Sequence, residues 1–263
     1  MKIYWKYYII PFVYGIIFSW YGTFHVEGKR KLWELMVDLG GGKIVDMNSY
    51  AIATIIEKQL PYILFIILFS TYIYRHFCSC SPYVFSRCEN RGMWYTKEAV
   101  KLFGFSFLYV LVLILGRMCP GVLAGRFLFD PLGCTLFWHY LATMTLWLFQ
   151  LTLLANTIAI RFGSSAGNLV MIGAQMAAVI ALLGIQSYNL TQWDIIRLIW
   201  NPNTYLLLSW HAVVINGKRY LGEFPYEVPF VHGYLYFGCL CISAFMIGYL
   251  VVQKAEIIGN REK

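Results

Sequence analysis

Apolar residues gather in six stretches of this chain, and each is close to the length that a helix needs to cross a bilayer. A spanning helix takes about 20 predominantly apolar residues, because hydrocarbon offers no partner to backbone groups outside a helix or barrel. We predict spans at about 7–24, 59–76, 102–119, 135–159, 168–187 and 232–252. The pattern therefore predicts an all-α, polytopic membrane protein whose single transmembrane domain covers residues 1–263.

Composition supports a membrane protein. Of the 263 residues, 59% are hydrophobic and 13% are charged, whereas soluble domains have roughly 25% charged residues. The segments between six spans leave no room for a separate catalytic domain, which needs on the order of 100 residues. No small-residue cleavage pattern follows the first span, so we expect a retained anchor rather than a removed signal peptide.

Lysine and arginine are distributed unevenly around the predicted spans. If the amino terminus is inside, the inner segments hold a large excess of basic over acidic residues, whereas the outer segments hold the two types in nearly equal numbers. Because cytoplasmic loops carry the positive excess, this pattern predicts that both termini are cytoplasmic. We expect contact with anionic membrane lipid and not with nucleic acid, since no exposed basic and aromatic platform is present.

Two non-spanning segments have distinctive sequences. Segment 25–58 mixes charged and apolar residues, and we expect part of it to lie as an interfacial helix that ends before the glycines at 40–42. In segment 78–103, CSCSPYVFSRCENRGMWYTKEAVKLF, Pro82 suits the first turn of a helix. Aromatic and arginine side chains follow, as at protein interfaces. We predict a short helix over about 82–94 on the cytoplasmic surface, and near its end Gly92 allows a sharp reversal before the next helix.

The segment before the last span contains TQWDIIRLIWNPNTYLLLSWH, residues 191–211. Its apolar runs are too short to cross the bilayer, and the pair Asn201 and Pro202 provides a helix cap followed by a proline at the first helical position. We predict two short re-entrant helices over about 191–212 that dip into the outer leaflet, with an outer hinge at Asn201 and Pro202.

Small residues in the fifth span, at Gly173, Ala177 and Ala181, follow a four-residue spacing that lets helix backbones approach closely. Packing within the chain and packing against another subunit explain this spacing equally well. Cys119 and Cys134 flank a short outer loop, where a disulfide is sterically possible in an oxidising exterior. Their spacing alone does not decide the question.

Signatures of enzymes and cofactor sites are weak, and we expect no enzyme activity on this chain. Gly40–Lys43 resembles part of a phosphate-binding loop, but Ile44 stands where a magnesium-binding Ser or Thr is needed. His139 and His232 could hold a haem between two helices, but one histidine on each helix is a weak signal for that site, and we do not predict it. The residues His76, Cys78, Cys80 and Cys88 are more simply a histidine and reduced thiols than a zinc site.

Polar groups inside the spans are few. Charged residues lie at span ends, where they can reach the headgroups, and the main polar side chains within the membrane are Gln150, Asn156 and Gln175. An intramembrane polar residue is usually functional. We therefore predict that these three amides line a path for an amphipathic or hydrophobic substrate, rather than for an ion that needs a charged relay.

This arrangement of spans and segments resembles the membrane subunits of type-2 ATP-binding-cassette exporters, most of all the small bacterial permeases of peptide-antibiotic and lantibiotic immunity. The local resemblance is in SPYVFSRCENRGMWYTKEAVKLF and, more weakly, in WNPNTYLLLSW. In that family the helix between spans two and three is a coupling helix that docks on a separate ATPase. The resemblance carries this role over to Tyr83, Phe85, Arg87, Glu89, Asn90, Arg91 and Trp94.

The resemblance implies a multi-pass protein of the bacterial plasma membrane that exports or expels a peptide antibiotic or lipid-like molecule. Its implied partners are an ATPase subunit, which would hold ATP and Mg, and a second permease subunit, identical or homologous. No metal or other cofactor is expected on this chain. The alternative is a non-transporting membrane subunit that acts as a sensor or in assembly.

Overall fold

The computed structural model describes residues 5–24, 28–40, 49–80, 90–182, 191–211, 214–215, 218–219 and 228–255, which are mostly helical. The helices in these residues are α1 Trp5–Phe24, α2 Leu32–Leu39, α3 Ser49–Phe69, α4 Tyr72–Cys80, α5 Arg91–Leu123, α6 Pro131–Phe162, α7 Ser164–Ile180, α8 Gln192–Trp200 and α9 Phe230–Lys254. Two 3-10 helices follow α8, at Pro202–Leu206 and Leu208–Trp210. The strand pairs are β1 Arg30–Lys31 with β2 Phe127–Leu128, and β3 Val214–Ile215 with β4 Lys218–Arg219.

Four helical stretches of the described residues are long and apolar enough to cross a membrane: Lys58–Ser79, Arg91–Leu123, Pro131–Phe162 and Phe230–Lys254. The predicted helical, membrane-spanning class is confirmed to this extent. The first and fifth predicted spans are also helices, α1 and α7, but neither is among these four stretches, and α7 has only 17 residues. Six spans therefore remain a prediction.

The second predicted span is two helices rather than one. Helix α3 ends at Phe69 and α4 begins at Tyr72, so the predicted range 59–76 covers the end of α3 and the start of α4. The prediction of a reversal at Gly92 is wrong, because Gly92 lies in the first turn of α5. The ring of Tyr249 occupies the space where a side chain at position 92 would lie.

The described residues belong to two compact units. The first comprises Met1–Pro61, Phe107–Thr145 and Met176–Tyr236. In it, α1 and α5 cross with their backbones in contact at two glycines. A Cβ atom on Gly15 would lie 2.8 Å from the Leu113 carbonyl oxygen, and one on Gly116 would lie 2.5 Å from the Phe12 carbonyl oxygen. The crossing therefore requires glycine on both helices.

In the same unit, Asp130 joins the amino-terminal ends of two helices. Its Oδ1 accepts a hydrogen bond from the Trp33 backbone N–H of α2 at 3.2 Å, and its Oδ2 accepts one from Gly133 of α6 at 2.9 Å. Carboxylates are favourable at helix amino termini, where backbone N–H groups lack partners. Helix α2 ends at Leu39, directly before the glycines, as the sequence predicts.

The second unit comprises Tyr62–Ser106, Leu146–Gln175 and Phe237–Lys263. Its core contains fully buried Phe65, Ile66, Leu102 and Phe237. Gly248 of α9 lies so close to the Tyr95 hydroxyl and the Thr157 side chain that no Cβ atom fits there.

The small residues of α7 do not pack inside the described part of the chain. Gly173, Ala174, Ala177 and Ala181 are exposed, and a Cβ atom on Gly173 would meet no atom within 4 Å. Exposed apolar side chains on the same helix include Leu169. At these positions, the small-residue spacing is therefore not explained by packing against the described residues of this chain.

Candidate functional site

The break between α3 and α4 is held by one amide side chain from α6. Asn156 Oδ1 accepts hydrogen bonds from the backbone N–H groups of Ile73 at 2.7 Å and Tyr74 at 3.1 Å. Its Nδ2 donates to the carbonyl oxygens of Phe69 at 3.0 Å and Thr152 at 2.8 Å. The last carbonyl of α3 and two early N–H groups of α4 are therefore satisfied by a side chain, which permits a helix break in an apolar environment.

A second amide supports the same break. The Ser70 hydroxyl, within the two-residue gap, donates a hydrogen bond to Asn168 Oδ1 of α7. Thus α6 and α7 both fix the point at which the chain leaves α3 and enters α4. This makes α4 a separate short helix that a break of two residues divides from α3.

Helix α4 also contacts a buried carboxylate on α5, that of Glu98. Glu98 accepts hydrogen bonds from the Tyr72 hydroxyl at 2.8 Å and from Lys101 Nζ at 2.6 Å, and its Oε2 lies 3.0 Å from His76 Nδ1. A buried charge is costly unless it is paired and hydrogen-bonded, and Glu98 has such partners on both oxygens. Since Tyr72 and His76 belong to α4, this network ties α4 to α5.

We call the Asn156-held break and the Glu98 network together the α4 brace. It flanks the predicted coupling helix, because α4 ends at Cys80 and α5 begins at Arg91. Tyr83, Phe85, Arg87 and Glu89, four of the seven predicted coupling residues, lie outside the described residues, as does the range 81–89. The structure describes the other three.

The described coupling residues contact this chain itself. Asn90 caps α5, since its Oδ1 accepts a hydrogen bond from the Met93 backbone N–H at 3.0 Å. Arg91 Nη1 donates to the Ala255 carbonyl oxygen at the end of α9, at 2.9 Å. The ring of Trp94, which is half-buried, lies 6.2 Å from that of Phe77 on α4. These three residues therefore fix where α5 begins.

The three predicted path residues are all buried in the second unit. The amide of Asn156 is fully used by the α4 brace. By contrast, Gln150 Oε1 and Trp147 Nε1 have no hydrogen-bond partner within the described residues. Residues 147 and 150 lie on one face of α6, because positions three apart on a helix are neighbours. Gln175 lies on α7.

At the predicted outer hinge, the side chain of Asn201 forms hydrogen bonds both to α7 and to the backbone that follows it. Its Nδ2 donates to the Ala178 carbonyl oxygen at 2.6 Å, and its Oδ1 accepts from the Asn203 backbone N–H at 2.9 Å. Pro202 is the first residue of a 3-10 helix. The turn at 201–202 is thus anchored by hydrogen bonds on both sides.

The two histidines of the first unit that lie close together are His139 and His211, with ring centroids 4.9 Å apart. His139 Nδ1 lies 2.9 Å from the Tyr234 hydroxyl. The ring nitrogens of His211 face the carbonyl oxygens of Val228 at 2.8 Å and Tyr205 at 3.1 Å. Burial lowers the pKa of His211, although both carbonyls oppose this shift. His232, which was considered above as a haem ligand together with His139, is exposed.

Two further hypotheses concern cysteines: a disulfide between Cys119 and Cys134, and a zinc site at His76, Cys78, Cys80 and Cys88. Cys119 and Cys134 are free thiols. No group of three or more His, Cys, Asp or Glu residues lies together in the described parts of the chain, and Cys88 lies outside them. His76 instead contacts Glu98.

Sequence reasoning missed Glu98 and a group of cations around Asp38. Arg30 Nη2 lies 3.3 Å from this carboxylate, and Lys58 Nζ and Arg117 Nη1 each lie 3.8 Å from it. Residues so far apart in the sequence give no local signal, and an arginine at the end of a predicted span, such as Arg117, is expected to reach the headgroups. Comparison of the chain with protein-family models, curated proteins and solved structures gave no match.

Proposed function

We propose that this chain is the transmembrane subunit of an ATP-binding-cassette transporter of the bacterial plasma membrane. It exports or expels an amphipathic substrate, such as a peptide antibiotic or a lipid-like molecule, and a separate ATPase subunit drives it. The observation that carries this proposal is the α4 brace, which ties the two helices on either side of segment 81–89 to each other and to α6.

In the proposed mechanism, the ATPase pushes on the coupling helix when two ATPase subunits close around ATP and Mg. The force enters α4 and α5 together, because Glu98 and the contact between Phe77 and Trp94 link them. The break before Tyr72 lets α4 tilt without exposing backbone groups to hydrocarbon, since Asn156 supplies their hydrogen bonds. Helix packing then transmits the movement to α6, as in other shear and hinge transitions.

The buried polar atoms of α6 support an amphipathic, peptide-like substrate. Trp147 Nε1 can donate and Gln150 Oε1 can accept a hydrogen bond, and neither has a partner within the described residues. A peptide bond offers one donor and one acceptor. An occupant of this type would satisfy both atoms, which otherwise each cost free energy.

The proposal includes six spans, cytoplasmic termini and a second permease subunit. The exposed small residues of α7 are where we place the contact with that subunit, since small residues allow helices to approach closely in membranes. Gly173→Ile should weaken dimerisation without unfolding the monomer, because a Cβ there meets nothing. Gly238→Ile on α9 is the matched control, as its Cβ also meets nothing. Equal dimer fractions for both variants in single-molecule bleaching experiments would contradict this contact.

The main experiment is purification of the chain with its associated proteins from its own membrane, followed by measurement of ATP hydrolysis in nanodiscs. We expect an ATPase that co-purifies and that candidate peptides stimulate. Arg87→Glu in the coupling helix should lower co-purification or stimulation. Arg161→Glu, an exposed arginine at the end of α6, should not. Association with a kinase or protease and no ATPase would instead support the sensor or assembly subunit.

A further inference from the structure

The break between α3 and α4 has no cause in the local sequence. Residues 62–80 contain neither glycine nor proline, which are common causes of sharp kinks. Another cause is a side chain that inserts into the hydrogen bonds of a helix. In a continuous helix the Ile73 N–H donates to the Phe69 carbonyl oxygen, four residues earlier. Here both groups bond to the Asn156 amide of α6, at 2.7 and 3.0 Å. Asn156 is therefore the cause of the break.

Each backbone group that Asn156 binds at the break has a partner in a continuous helix. The Ile73 N–H and the Phe69 carbonyl oxygen would bond to each other. The Tyr74 N–H, which donates to Asn156 at 3.1 Å, would donate to the Ser70 carbonyl oxygen. The helix can therefore close without leaving any of these groups unpaired in hydrocarbon.

The hydrogen bonds on either side of the gap permit the same closure. The Ser70 N–H donates to the Ile66 carbonyl oxygen at 2.8 Å, and the Arg75 N–H donates to that of Thr71 at 2.9 Å. Both bonds have the four-residue spacing of an α-helix. The Ser70 hydroxyl donates to Asn168 of α7, and a helical serine can donate instead to a carbonyl oxygen of its own helix. Only the hydrogen bonds between these two points distinguish the present state from one continuous helix.

Asn156 also has a contact within α6 that closure leaves intact. Its Nδ2 donates to the Thr152 carbonyl oxygen at 2.8 Å, one turn earlier on the same helix. Closure takes from its Oδ1 the two N–H donors of the broken state. Because Asn156 is 1% exposed, water does not replace these donors, and the unpaired oxygen costs free energy. The continuous helix is therefore a minor state, on the order of 0.1–10% of the population.

We propose that α3 and α4 form a two-state switch in which the Asn156 amide is a removable insert. In the broken state the amide separates the two helices. In the continuous state it is withdrawn and the helix hydrogen bonds close, which redirects α4 and the chain that enters segment 81–89. This goes beyond the tilt of α4 proposed above, because the break itself disappears. The switch belongs to the chain alone, so it is tested without an ATPase or a transported substrate.

The test is the distance between spin labels at Leu60 of α3 and Ser79 of α4, two exposed positions. It is measured by pulsed electron paramagnetic resonance on the purified full chain in nanodiscs, after the seven native cysteines are replaced. A continuous helix places the two Cα atoms about 28 Å apart, since each residue adds about 1.5 Å. We expect Asn156→Leu, which has no amide to insert, to show a narrow distribution at the distance of a straight helix. The parent should show a different distribution, that of the broken state.

Two further variants separate a switch from a fixed break. Thr152→Val leaves the Asn156 amide in place and should keep the parent's distance distribution. Thr71→Pro should hold the break open, because proline has no N–H for the Ile67 carbonyl of a continuous helix and its ring clashes with that group. Added to Asn156→Leu, it should abolish the straight-helix distance.

Three outcomes would overturn the proposal. The first is the same distance distribution for the parent and Asn156→Leu, which means that the break does not depend on the amide. The second is a straight-helix distance that survives the addition of Thr71→Pro, since the distance then does not report closure. The third is failure of Asn156→Leu to fold, because a helix that can close on itself does not need the amide for folding.

Discussion

Replacing Asn156 by leucine should destabilise the protein strongly, because this amide supplies the hydrogen bonds at the break between α3 and α4. Leucine has a similar volume but no polar atoms. The substitution leaves three backbone groups outside α6 without their partner: the N–H groups of Ile73 and Tyr74 and the carbonyl of Phe69. In an apolar environment no water replaces these partners.

The expected loss of unfolding free energy follows from those three groups. A buried polar group left without a partner costs about 1–3 kcal/mol, whereas hydrogen bonds between helices in membrane proteins average about 0.6 kcal/mol. Three groups therefore give a loss of about 2 kcal/mol from the membrane-protein average and up to about 9 kcal/mol if all three stay without a partner. The lower end applies if α4 relaxes to form a continuous helix with α3.

Thr152→Val is the matched control on the same helix. The Thr152 hydroxyl donates only within α6, to the carbonyl oxygens of Leu148 at 2.7 Å and Phe149 at 3.1 Å, and those carbonyls remain available to the helix. We expect a loss below about 1 kcal/mol for this nearly isosteric change. The free energies are measured by reversible unfolding in mixed bicelles with increasing SDS.

The outcome separates two roles for Asn156. If Asn156→Leu is as stable as Thr152→Val but transports a different range of substrates, the brace is not structural and the residue lines a path, as the sequence predicts. If Asn156→Leu is destabilised and its substrate range is unchanged, Asn156 is a positioning residue for α4. Asn156→Asp retains the acceptor atoms, and we expect its stability to lie between those of Asn156→Leu and Thr152→Val.

Three further predictions test other contacts. Glu98→Gln should lower stability by about 1–2 kcal/mol through loss of charged hydrogen bonds, and it should reduce the amount of substrate transported per ATP hydrolysed. Lys97→Gln, at an exposed position, should change neither quantity. Unfolding measurements and coupled transport assays check both expectations. Gly248→Ala should prevent close packing of α9 and lower the unfolding midpoint, and Gly104→Ala, whose Cβ meets nothing, should not. Because burial lowers the pKa of His211, the unfolded chain binds a proton at pH values at which the folded chain does not. Stability should therefore fall as pH drops through about 6.5, and His211→Phe should reduce that slope in unfolding measured against pH.

Some positions of the site could be found from the sequence because local signals mark them. The turn at Asn201 and Pro202 has a capping residue followed by proline, and the structure places a 3-10 helix directly after it. Asn156 could be singled out because amides are rare in apolar stretches. Its partners could not be named, since Ile73 lies 83 residues earlier in the chain and no periodicity joins the two.

The sequence by itself determined that this is a largely helical chain with apolar stretches long enough to cross a membrane, because helix length and apolar content are local properties. It also located the segment in which α4 gives way to α5. Only the tertiary structure decided that the second stretch breaks before Tyr72, that Glu98 is buried against α4, and that three cations meet at Asp38. These features depend on hydrogen bonds and charges between residues far apart in the chain, and pairing of that kind leaves no pattern along the sequence.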